Sequence, residues 1–109
     1  MAEATADRFA QAVAWRALAE AVARGPAPDR PQAEQAMGAA LRLFTELEFR
    51  PELARSYVCY ARVLQQWGQQ ATAAHYLSEA MTLFQAMGMA WDLAQAAEVR
   101  RALRSRDAR

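Results

Sequence analysis

Apolar side chains recur along this chain in steps of three and four, the spacing that gathers residues onto one face of an α-helix. Ala33, Met37, Ala40, Phe44 and Leu47 make one such series, and Ala73, Leu77, Ala80, Phe84 and Met87 make another. The series are interrupted at Gly25-Pro26-Ala27-Pro28 with Pro31, then at Pro51, Gly68 and Gly88. Glycine suits the left-handed residue that follows a helix, and proline suits the first turn of one. Pattern and punctuation together predict five helices, at about 8–24, 31–47, 51–67, 70–87 and 90–105. Connections this short set neighbouring helices antiparallel, as hairpins.

The chain also matches itself at a shift of forty residues. Ala33, Ala40, Leu43, Phe44, Leu53 and Ala54 meet Ala73, Ala80, Leu83, Phe84, Leu93 and Ala94, while Met37, Leu41 and Leu47 meet Leu77, Met81 and Met87. A period of this length is the signature of stacked helical units, each burying its apolar face on the next. The expected fold is therefore all-α, with hairpins stacked as a short right-handed α-solenoid in one domain over residues 1–109. The last helix strains the period. At forty its inward sites fall on Arg100, Arg101 and Arg104, whereas a register one residue shorter turns Ala96, Val99 and Leu103 inward.

Composition agrees with helix, since alanine is abundant, β-branched residues are scarce and isoleucine is absent. Lysine and asparagine are absent too, so all thirteen basic side chains are arginine, a usage that points to a GC-rich genome. Twelve acids leave a net charge of +1, and no global field draws the chain to nucleic acid or anionic lipid. The single cysteine, Cys59, excludes an internal disulfide and cannot make a structural zinc site by itself. The first residues carry acids where a signal peptide needs positive charge, and no apolar run approaches a membrane span. The expectation is a cytoplasmic protein.

Two residue patterns narrow the architecture. In helices that open a pair, a large aromatic is followed by a large apolar residue three on, a small one next, and a large one three further. Trp15, Leu18, Ala19, Val22 and Tyr57, Tyr60, Ala61, Leu64 both comply. Partner helices supply small, large and small residues at Ala33, Met37, Ala40 and at Ala73, Leu77, Ala80. This combination resembles the tetratricopeptide repeat, in about two and a half copies. Phe84-Gln-Ala-Met-Gly-Met-Ala-Trp-Asp-Leu-Ala looks like the longer, forty-residue variety found in large bacterial signalling and transcription regulators. The proline that often ends a repeat is missing, and the first hairpin loop is about two residues longer.

The resemblance implies a binding module without chemistry of its own, holding a peptide or protein segment in a concave groove. Carried across residue by residue, the groove would be lined by Val13, Arg16, Glu20 and Arg24, then Arg55, Val58, Arg62, Gln65 and Gln66, then Gln95 and Glu98. Arginine outnumbers acid there, and guanidinium forks suit carboxylates, so an acidic segment or a C-terminal carboxylate is the expected ligand. Arg16, Glu20 and Arg24 also make ordinary i,i+4 pairs on a solvated face.

A structural role is the alternative. The first helix is apolar nearly all round, through Phe9, Val13, Ala14, Trp15, Ala17, Leu18, Ala21 and Val22, and such a helix is covered on more than one side. Self-association through Phe9, Val13 and Trp15, as a homodimer, or a place within a longer array would supply the cover. Other candidates have plain readings. Arg100, Arg101, Arg104, Arg106 and Arg109 lack the interleaved aromatics of a nucleic-acid surface and fit a solvated terminal helix. His75 is a surface or boundary residue, and Cys59 packs as a small half-buried thiol. Glu46 and Glu48, two apart on a helix, point to different faces and make no acid/base pair. Trp67, Trp91, Met81, Met87 and Met89 are expected in packing rather than around a small-molecule pocket. With no phosphate loop, HExxH or serine elbow in the chain, no enzyme activity, cofactor or metal is expected.

Overall fold

The computed structural model describes residues 2–27 and 29–107, without the side chains of 2–4, 106 and 107. Among these residues the protein is all-helical: α1 (Ala2–Arg24), α2 (Arg30–Glu46), α3 (Arg50–Gln66), α4 (Gln70–Met87) and α5 (Ala90–Asp107). Four of the five predicted helices agree within two residues at each end. α1 starts six residues earlier than the apolar series suggested, because Ala, Glu and Asp extend a helix without contributing to its apolar face. Pro28 and Arg109 lie outside the described residues, as does the side chain of Arg106.

Helix boundaries are built from local hydrogen bonds. Asp29 caps α2 by accepting from the Gln32 N–H at 3.1 Å, with Pro31 in the first turn where its missing N–H costs nothing. Gln69 occupies the equivalent position before α4, and its side chain makes no capping bond. Three turns share one design. The N–H groups of Phe49, Gln69 and Met89 donate back to the carbonyls of Phe44, Leu64 and Phe84 at 3.0, 2.9 and 2.9 Å. The residue before each of those donors is left-handed: Glu48 at φ 56°, Gly68 at 76° and Gly88 at 69°. This is the paired-bond helix ending that glycine favours.

The chain divides into two compact units, Met1–Arg50 and Pro51–Arg109. In the first unit the start of α1 lies beside the end of α2. The Phe9 ring packs on Phe44 (5.9 Å between centroids, edge-on) and on Phe49 (4.9 Å), and Arg8 ion-pairs with Glu46. Ala12, Ala19 and Ala23 of α1 and Ala33, Ala36, Met37, Ala40 and Phe44 of α2 are buried.

In the second unit one cluster joins Ala54, Val58, Ala61 and Leu64 of α3, Ala73, Leu77, Ala80 and Phe84 of α4, and Ala96 and Leu103 of α5. The forty-residue repeat is therefore physical at its deepest positions. Ala33, Met37, Ala40 and Phe44 are buried, and so are Ala73, Leu77, Ala80 and Phe84. The repeat stops at α5, where Ala94 is exposed although Ala54 is buried. There the shorter register holds: Ala96 and Leu103 are buried, Val99 packs against the cluster, and Arg101 and Arg104 are exposed.

Candidate functional site

In the second unit the candidate surface begins at an arginine held by two acids. Arg55, one turn into α3, donates from its NH1 nitrogen to Glu52 at 2.7 Å and from Nε to Asp92 at 3.2 Å. Asp92 lies in the first turn of α5, so the bridge sets the starting turns of α3 and α5 side by side. The hydrogen bonds to Asp92 and then to Glu52 push the guanidinium pKa further up, so Arg55 stays charged and bound to these carboxylates. Arg55 was expected to offer its fork to a ligand. Its place in the fold is a tie between helices, and the two acids it binds neutralise it.

Beyond that tie the predicted residues divide by depth. Arg62 and Gln66 continue the Arg55 stripe at steps of seven and four and are exposed, while Gln65 is half-buried and Val58 is part of the core. On α5, Gln95 and Glu98 are exposed, and Glu98 pairs with Arg101 at 3.0 Å. Arg62 makes no ion pair among the described residues.

Arg16, Glu20 and Arg24 belong to the first unit. The Arg16 guanidinium lies over the Phe44 ring, 5.4 Å from its centroid, a cation–π contact that half-buries it. Glu20 and Arg24 form the i,i+4 pair that their spacing suggested, at 3.8 Å. The three residues expected in self-association differ in exposure. Phe9 is turned into the phenylalanine cluster, Val13 is half-buried, and Trp15 is 40% exposed, with Leu18 at 39% beside it. Leu18, three residues on from Trp15 along α1, is the other exposed large apolar residue of this helix.

The remaining candidates take up the plain positions, with one exception. Tyr76 packs against Tyr57 and Tyr60 with tilted rings, 5.5 and 4.9 Å between centroids, and lies edge-to-face with His75 at 5.4 Å. Burial, with the nearby charge of Glu79, pushes the Tyr57 phenol above its ordinary pKa of 10.0. Cys59 is half-buried. Trp67, Met81, Met87 and Met89 pack against the second unit's cluster. Trp91 does not: it is 72% exposed, because a step of five residues from Ala96 turns it about 140° around the helix from that buried position. Among the described residues no group of three or more His, Cys, Asp or Glu is arranged to hold a metal ion, and no helix is long and apolar enough to cross a membrane.

No protein family, no curated protein and no solved structure matches this chain.

Proposed function

We infer that the chain is a protein-interaction module whose second unit takes an acidic segment of a partner protein along the exposed flanks of α3 and α5. The observation that carries this reading is the contrast between two arginines on one stripe. Arg55 is held by Glu52 and Asp92, whereas Arg62, two turns on, is exposed with Gln66 after it and without an acid of its own. An exposed fork beside uncharged amides suits a carboxylate that arrives with the ligand. Gln65 is half-buried on α3, and Gln95 and Glu98 are exposed on α5, with Glu98 engaged by Arg101.

The forty-residue period and the small-residue pattern support tetratricopeptide-type stacking of the hairpins as a right-handed solenoid, an architecture whose use is recognition rather than chemistry. A single cysteine and the absence of any catalytic constellation in the sequence agree with a binding role inside the cell.

Panning a displayed library of random peptides against the chain tests this reading. The expected result is enrichment of peptides carrying Asp, Glu or a terminal carboxylate. Their binding falls by about tenfold in Arg62→Glu, the equivalent of about 1.4 kcal/mol, and persists in Arg42→Glu, an exposed position of α2 in the first unit. A selection without acidic bias, or equal binding by Arg62→Glu, overturns it.

A further inference from the structure

The first unit carries a different surface, which uses no residue of α3 or α5 and stands or falls separately from the reading above. Buried Ala12, Ala19 and Ala23 mark the face of α1 that is covered within the chain. On another side Gln11, Trp15, Leu18 and Val22 form a stripe in steps of four, three and four, flanked by exposed Ala14 and Ala21. Gln11, Ala14, Trp15 and Leu18 line an open furrow of about 390 Å³. None of these residues is charged.

The internal repeat accounts for the furrow. Trp15 and Leu18 hold the places in α1 that Tyr57 and Tyr60 hold in α3. In the second unit the Tyr76 ring covers that pair. Forty residues earlier, α2 has Ala36, which is itself buried and has no ring to offer. The first hairpin thus keeps two large apolar side chains and lacks the aromatic cover that its counterpart has.

We propose that a second copy of this chain supplies the cover, with the two α1 helices packed antiparallel about a two-fold axis between Arg16 and Ala17. The stripe is a palindrome in its spacing. Reversing the helix about that point sets Trp15 against the partner's Leu18 and Gln11 against the partner's Val22, and two-fold symmetry makes each contact twice. Large Trp15 and Leu18 alternate with small Ala14 and Ala21, so the side chains of one helix enter gaps on the other. Pairing removes no charge from water on this stripe, and a net charge of +1 per chain gives little repulsion between copies. A charged peptide finds no counter-charge here. One helix against one helix is a small interface, so the dimer dissociates on dilution.

Sedimentation equilibrium of the full chain from about 1 to about 500 µM reads the association. The mass is expected to rise from the 12.1 kDa of one chain toward twice that value, and Trp15→Glu/Leu18→Glu is expected to remain at one chain. A monomer throughout overturns the proposal, and so does a dimer that the double variant leaves intact. The register is read with Trp15 and Leu18 in place. In a Cys59→Ala background under an added oxidant, chains with Gln11→Cys mixed with chains with Val22→Cys crosslink at least about tenfold faster than either alone. Self-crosslinking of Gln11→Cys at the rate of the mixture, or no crosslinking at all, overturns antiparallel pairing. Should the double variant lose its helical circular dichroism, the crosslinking alone decides between these outcomes.

Discussion

At the scale of single residues, three turns share a backbone and differ in the side chain they place in its left-handed position. Gly68 and Gly88 occupy it without strain, and a Cβ added at either meets nothing within 4 Å. Glu48 occupies it at φ 56°, where a side chain costs about 1 kcal/mol or more. Part of that cost returns as the lower entropy of an unfolded chain with glutamate in place of glycine. Glu48→Gly is expected to stabilise the protein by about 0.5–1 kcal/mol, which thermal unfolding reads as a rise of a few degrees. Gly88→Ala should lower the melting temperature by a similar amount.

Tyr57 makes a second residue-scale prediction. In the unfolded chain its phenol ionises near 10.0, and in the folded chain burial holds the neutral form to higher pH. A folded pKa above the unfolded one gives stability that is complete below pH 10, begins to fall there, and is lost as pH rises through the folded value. Melting temperature followed from pH 8 to 11.5 should fall above about pH 10, and less steeply in Tyr57→Phe.

At the scale of elements, the repeat allows one helix to serve as the control for another. α2 has its Asp29 cap and α4 has Gln69 at the same place without one. Asp29→Ala is expected to cost about 1 kcal/mol, and Gln69→Asp to return part of that amount by satisfying an N–H in the first turn of α4. Urea unfolding of the two variants beside the parent separates them, and equal midpoints would contradict the capping account.

The helices were legible because periodicity and punctuation agree, with Ala73, Leu77, Ala80 and Phe84 repeating Ala33, Met37, Ala40 and Phe44. The ending at Glu48 was not, since no glycine announces it and the hydrogen bond from Phe49 to Phe44 does its work instead. The register of α5 was open between two readings, and the choice depended on which side chains could be buried. Ala96 and Leu103 are buried at no charge penalty, and an arginine there would have been costly.

At the scale of the whole molecule, the candidate surface was legible by residue type and not by engagement. Arg55, Arg62, Gln66 and Glu98 are where helical periodicity places them. That Arg55 is occupied depends on Asp92, which is distant in sequence and reaches it only through the packing of α5. Likewise Trp15 is exposed in a hairpin that has Ala36 where the other hairpin has Tyr76. Comparing Ala36 with Tyr76 holds that information, but the pattern of α1 alone does not. Both proposals draw on such second-order facts: a cation without an acid beside it, and a large apolar pair without an aromatic lid.

Among the described residues nineteen apolar ones are buried in the two units, of which eleven are alanines and only Phe44 and Phe84 are aromatic. Much of the interior is therefore backbone brought close to backbone, with little hydrocarbon per residue hidden from water. Heat capacity reports that quantity directly, because exposed apolar surface raises it and exposed peptide lowers it. Calorimetry is expected to give an unfolding increment at or below the low end of the usual range of about 12–15 cal/mol/K per residue. A small increment flattens the dependence of stability on temperature, so a chain built this way keeps its modest margin over a wide span of cold and warm conditions.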